Sequence, residues 1–105
     1  MNLEIKKSLY DIFQAAKEIE TYTANLTLDR FRVDGMARSA VERKFEIIGE
    51  AVNRIGRSDP NTLVRISNHL RIIGFRNVIA HGYDVVDVEI VWDAAMEYLP
   101  RKIFH

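Results

Sequence analysis

The stretch DGMARSAVERKFEIIGEAVNRIG, residues 34–56, decides the fold. Val41, Phe45, Ile48, Val52 and Ile55 recur at spacings of four, three, four and three, which is one face of a helix. Ala37, Ala40, Ile47 and Ala51 widen that face with small side chains, so this helix is expected to meet neighbours on two sides, a second copy of the chain being one candidate. Asp34 is a favourable N-cap, and Gly56 is placed to end the helix.

The same period extends outward in both directions. Over residues 2–22, Ile5, Leu9, Ile12, Phe13, Ala16 and Ile19 form an apolar stripe, and Thr27 is placed to cap a short helical turn through Phe31. Asp59-Pro60 is a strong helix start, followed by Leu63, Ile66, Leu70 and Ile73. Past Gly74 the pattern resumes as Phe75, Val78 and Ile79 and stops near His81-Gly82. Asp87 is placed to cap a last helix carrying Val88, Val91, Trp92, Ala95 and Leu99, which Pro100 ends. No segment alternates with period two. The expected fold is all-α, an antiparallel bundle of four main helices plus a short fifth, in a single domain over residues 1–105.

Composition narrows the function classes. The 105 residues hold 15 Lys+Arg against 15 Asp+Glu, no Cys, and 48% hydrophobic residues. A neutral, apolar-rich chain of this length suits one folded core rather than disorder. Without Cys there is neither a disulfide scaffold nor a thiolate nucleophile or ligand. No apolar run approaches the roughly 20 residues that span a bilayer, and the opening MNLEIKKSLYDIF has no signal-peptide core, so cytoplasmic residence is the expectation. The three His, at 69, 81 and 105, are not spaced for a metal site on one helix, no phosphate-binding glycine loop occurs, and neither metal nor cofactor is expected. Glu42 and Glu46 read as a solvated helix face.

Charge is uneven along the chain. From Arg54 to Tyr83 there are five Arg and one acid, Asp59, whereas Asp84 to Glu97 holds five acids and no base. The basic part ends in Gly74-Phe75-Arg76-Asn77-Val78-Ile79-Ala80-His81-Gly82-Tyr83, which places a guanidinium, an amide, an imidazole and a phenol within eight residues. At about 100° per residue, Arg76 and His81 are about 140° apart on one intact helix. Either the helix ends between them or a second copy supplies the complementary groups.

Such a cluster suits phosphodiester cleavage in RNA without a metal. RNA carries its own nucleophile, the 2′-hydroxyl, so the protein needs a base and a charge stabiliser. An imidazole is the side chain suited to a base near neutral pH, so His81 is the candidate base. Arg76 offers a fork matched to phosphate. Asn77 is placed to orient the imidazole or to donate to a phosphate oxygen. Arg54, Arg57, Arg65 and Arg71 are candidates for a track along the RNA backbone. Glu50, inside the apolar stripe, reads either as a functional carboxylate or as a partner for an arginine.

Arg76-x4-His81-Gly82-Tyr83 resembles the R-x4-H-x-Y motif of the HepT-like branch of the HEPN superfamily. Ile47-Ile48-Gly49-Glu50-Ala51 resembles that branch's helix signature, Ile72-Ile73-Gly74-Phe75-Arg76-Asn77 its approach to the motif, and Val86-Asp87-Val88-Glu89-Ile90-Val91-Trp92-Asp93 its closing helix. The resemblance covers most of the chain. It departs at Ile66-Ser67-Asn68-His69-Leu70, where many relatives carry Pro-Trp, and at residues 78–80, where relatives often keep another base.

The resemblance implies a toxin of a toxin–antitoxin module. Such proteins are homodimeric, metal-independent ribonucleases whose two motifs meet across the dimer, with Arg76 and His81 as the catalytic pair. It further implies a minimal nucleotidyltransferase antitoxin as partner, which transfers AMP to the motif tyrosine, here Tyr83. HEPN domains also occur as non-catalytic modules for nucleotide binding or partner docking, and this is the alternative expectation.

Overall fold

A computed structural model describes residues 2–66, 69–80, 87–100 and Lys102, with the side chains of Leu70, Val78 and Ala80 left aside. The described residues form six helices and no strand: α1 (Leu3–Thr23), α2 (Leu28–Val33), α3 (Gly35–Ser58), α4 (Pro60–Leu63), α5 (His69–Ala80) and α6 (Val88–Glu97). The fold is all-α as expected. None of the described helices is long and apolar enough to cross a membrane.

Local chemistry sets most of the boundaries. Each helix start needs acceptors for backbone N–H groups that have no partner within the helix. Asn2 Oδ1 accepts from the Ile5 N–H at 2.8 Å, Thr27 Oγ1 from Arg30 at 3.2 Å, Asp34 Oδ1 from Ala37 at 2.9 Å and Asp87 Oδ1 from Glu89 at 2.9 Å. Asp59 takes both the Thr62 N–H at 3.2 Å and the Thr62 hydroxyl at 2.7 Å. That hydroxyl, followed by the backbone N–H, holds the Asp59 carboxyl below its ordinary range.

Two expected boundaries move. The helix opened at Asp59 does not run on to residue 80: it is one turn long, Val64 and Arg65 form a turn, and a new helix starts at His69. Ile66 is nevertheless 1% exposed, so the apolar period crosses the break because both sides of it face the same core. Gly56 does not stop α3 either. The helix continues to Ser58, with the Asp59 N–H bonded to the Ile55 carbonyl at 2.7 Å. A Cβ on Gly56 would stand 3.3 Å from Leu63 Cδ2, so its smallness serves the approach of α4.

α3 is the central helix. Val41, Phe45, Ile48, Ala51, Val52 and Ile55 are all at most 1% exposed. Its most extensive packing is with α1, then with α5, and it also touches α2, α4 and α6. Both flanks of α3 are therefore met within one chain, and the width of its apolar face does not itself require a second copy. On α1, Ile5, Ser8, Ile12, Ala15, Ala16 and Ile19 are buried. Phe13, expected in the core, is 41% exposed, with Lys17 Nζ lying 5.6 Å from its ring centre. Phe31 of α2 is fully buried against Trp92 of α6, ring centres 5.2 Å apart.

An aromatic cluster fixes α5 and α6 on α3. The Phe45 ring meets Phe75 edge-on at 5.1 Å and Tyr98 at 6.1 Å. Edge-to-face pairs at these separations are favourable beyond the area they bury. Phe75 immediately precedes Arg76, so the contact that seats α5 also sets where Arg76 meets α3.

Candidate functional site

Glu50, Asn53, Arg54 and Arg57 stand at i, i+3, i+4 and i+7 on α3 and so share one side of the helix. Together with Arg76 of α5 they line an open depression of about 260 Å³. Three of its five lining side chains are guanidinium groups, and Glu50 is its one carboxylate.

Arg76 is the most constrained of the three. A Cβ built on Gly49 would lie 2.5 Å from Arg76 Cγ, so the arginine stem occupies the space a side chain at position 49 would take. The far end of the arginine is shared. Nη2 is 3.7 Å from Glu50 Oε1, and Nη1 donates to Asn77 Oδ1 at 3.1 Å. Nε is buried with no hydrogen-bond partner among the described residues. The side chain keeps 26% exposure, so the guanidinium still reaches the depression.

Arg54 is held from the opposite side. Its Nε donates to Ser8 Oγ and its Nη2 to Asp11 Oδ2, both at 3.2 Å. Ser8 is 1% exposed, and this bond accounts for a hydroxyl inside an apolar helix face. Arg54 also lines a neighbouring depression of about 360 Å³ with Glu4, Lys7, Ser8 and Asp11. Arg57 is exposed and makes no ion pair among the described residues.

The expected residues therefore divide. Arg76, Arg54 and Arg57 come together, and Asn77 contacts Arg76. Arg71 does not join them. It bonds Glu97 of α6 at 3.2 Å and lines a different depression with Gly74, Phe75, Ile90, Ala94 and Tyr98. Five residues separate Arg71 from Arg76, which places them on different sides of α5. Arg65 is exposed in the turn after α4 and lines neither the Arg76 nor the Arg54 depression. His81 and Tyr83 lie outside the described residues. His69, the first residue of α5, turns its Nδ1 to the Ile66 carbonyl at 3.3 Å and so serves the helix start.

Asn53 is a lining residue that the motif reading passes over. The signal for it was the polar stripe 50-53-54-57 opposite the apolar one, and Glu50 belongs to that polar side rather than inside the apolar stripe as expected. Glu50 was read as either a functional carboxylate or an arginine partner, and it faces Arg76. The other paired acids, Glu42 and Glu46, are partly buried rather than on the solvated face expected of them. Glu46 pairs with Arg43 at 3.5 Å, and burial pushes the Glu42 carboxyl up, with Arg38 opposing the shift.

Residues 12–102 match the family described as Ribonuclease HepT-like. Among similar proteins, "Putative RNase MJ0127" of Methanocaldococcus jannaschii is 30% identical over 95% of this chain and 82% of its own length. "Putative RNase MJ1380" of the same organism is 30% identical over 93% of this chain and 89% of its own. "Probable ribonuclease HepT" of Thermococcus cleftensis is 33% identical over 90% of this chain and 86% of its own. No solved structure matches. With the family match running from α1 past α6 and Arg76 seated in an arginine-lined depression, this chain belongs to the HepT-like ribonuclease family.

Proposed function

We propose that the protein is a metal-independent endoribonuclease that acts as the toxin of a toxin–antitoxin module. The observation that carries this reading is the convergence of Arg54, Arg57 and Arg76 on one open depression, in a chain of the HepT-like ribonuclease family. Three guanidinium groups against one carboxylate suit a polyanion with closely spaced phosphates.

In this scheme the RNA backbone lies along Arg57 and Arg76. His81 removes the proton of a 2′-hydroxyl, the 2′-oxygen attacks the adjacent phosphorus, and the bond to the 5′-oxygen breaks. Arg76 stabilises the charge that develops on the phosphoryl oxygens, the step at which a fixed donor contributes most. The leaving 5′-oxygen takes a proton from a second imidazole. Arg76 and His81 are five residues apart, about 140° on one intact helix, and of the two ways to bring such groups to one phosphate, a helix end between them or a second copy, the proposal takes the second. Two copies facing each other supply a base, an acid and two guanidinium groups, and a homodimer is therefore part of the proposal.

The proposed brake is a minimal nucleotidyltransferase antitoxin that transfers AMP to Tyr83. The added phosphate would compete with RNA for Arg76. Intact mass of the protein co-expressed with such a partner should rise by AMP increments, and Tyr83→Phe should remove them. An unmodified mass in the presence of partner and ATP would refute this form of regulation.

The second reading, a nucleotide-binding or partner-docking module, draws on the same depression, since clustered guanidinium groups also fit a nucleotide's phosphates. Incubation of unmodified protein with RNA in EDTA separates the two. The nuclease reading predicts cleavage that His81→Ala abolishes, whereas nucleotide binding with intact RNA favours the module.

A further inference from the structure

We infer that Glu50 is the positioning residue of Arg76, with Gly49 as the socket that lets it act, an inference that rests on the nuclease reading above. Arg76 faces two like charges, since Arg54 and Arg57 line the same depression. Repulsion among neighbouring guanidinium groups is eased where a negative charge stands beside them. Arg54 has its own acid, Asp11, outside this depression. Among the described residues Glu50 is the one carboxylate lining it, and it lies 3.7 Å from Arg76 Nη2.

The arrangement sets the fork from both ends. At Gly49 the stem of Arg76 lies directly on the α3 backbone, which removes most of its rotamer freedom. At the head, Glu50 attracts Nη2 and Asn77 Oδ1 accepts from Nη1. The Glu50 separation exceeds hydrogen-bond distance, so the carboxylate acts through charge and does not consume a guanidinium donor. Donors therefore remain for a phosphate. Glu50 is 39% exposed, and it sits on the side of α3 where RNA would pass. There it both aims Arg76 and repels the substrate.

These two effects have opposite kinetic signs. Glu50→Gln keeps the side chain's shape, removes repulsion and releases the guanidinium. Cleavage of a short labelled RNA in EDTA should therefore show kcat lowered by about 10- to 100-fold, as expected for a misplaced catalytic group. KM should stay the same or fall. Glu50→Asp keeps the charge and should retain more kcat than Glu50→Gln. On an Arg76→Lys background, which lacks the fork, Glu50→Gln should change kcat by less than about 2-fold. Melting temperatures should show all variants folded.

Unchanged kcat in Glu50→Gln, an equal fall on the Arg76→Lys background, or a fall in kcat accompanied by a rise in KM would overturn the positioning role while the nuclease reading stands. A wild-type protein that cleaves no RNA would overturn the nuclease reading and the positioning role together.

Discussion

Arg76 of α5 lies where the side chain of residue 49 would be: a Cβ added to Gly49 would come within 2.5 Å of Arg76 Cγ. The helices approach closely here because Phe75, one residue earlier, is seated edge-on against Phe45, one turn earlier on α3. The packing that holds α5 in place and the placement of the candidate catalytic arginine are one contact surface. Gly49→Ala should destabilise the fold by about 1–3 kcal/mol through overpacking, measured by denaturant unfolding. It should also weaken RNA cleavage in protein that remains folded. A Gly49→Ala protein as stable and as active as the parent would show that the approach is looser than described.

Phe45 ties α3, α5 and α6 through Phe75 and Tyr98 and is 1% exposed. Phe45→Ala should cost about 3–5 kcal/mol, the usual range for emptying an aromatic site in a core. Tyr98→Phe should act in the other direction. The Tyr98 hydroxyl is buried with no partner among the described residues, and burial pushes its pKa up. Removing it should raise stability by about 1 kcal/mol, since an unsatisfied buried polar group carries a desolvation cost. Urea midpoints at constant slope check both.

The arginines should differ in what they do to RNA. Arg57 is exposed and unpaired among the described residues, so Arg57→Gln should raise KM, leave kcat nearly unchanged, and lower the salt dependence of binding by about one phosphate contact. Arg71→Gln should leave RNA affinity unaltered, because Arg71 is tied to Glu97 away from the depression. Binding titrations at several salt concentrations with a non-cleavable RNA distinguish the two.

Glu18 of α1 and Glu42 of α3 should give opposite pH behaviour. The Lys44 ammonium, 2.6 Å away, holds the Glu18 carboxyl below its ordinary value, which stabilises the fold above the unfolded value of 4.5. That contribution is lost as pH falls through the lower folded value, and Glu18→Gln should flatten the acid limb of the stability profile. Glu42 has the reverse sign. Burial raises its pKa, so its ionised form destabilises the fold as pH rises through the raised value. Glu42→Gln should therefore increase stability at pH 7, with the gain vanishing below the unfolded value of 4.5.

Much of this was legible in the sequence because it is local. The stripe Val41-Phe45-Ile48-Val52-Ile55 is the buried face of α3, and the caps at Thr27, Asp34, Asp59 and Asp87 all act within three residues of themselves. What escaped is long-range or interrupted. The break after Leu63 is invisible to periodicity, since Ile66 and Ile72 are buried in the same core on either side of it. Phe13 satisfies the spacing of the α1 stripe yet lies at its edge, where Ala15 takes the buried position instead. Arg71 belonged to a basic run but points away from Arg76, which their five-residue separation already implied. The Arg54–Asp11 pair joins different helices and no spacing rule finds it. Glu50 was expected as an arginine's partner, and what the sequence did not single out is that the arginine is Arg76.

The most direct measurement is cleavage of RNA by purified, unmodified protein in EDTA, with the wild type beside Arg76→Ala and His81→Ala. The wild type should cut RNA, and each variant should lose at least about 100-fold in rate while unfolding at a similar denaturant concentration. Wild-type protein that leaves RNA intact, or folded variants that cut as fast as the wild type, would contradict the account.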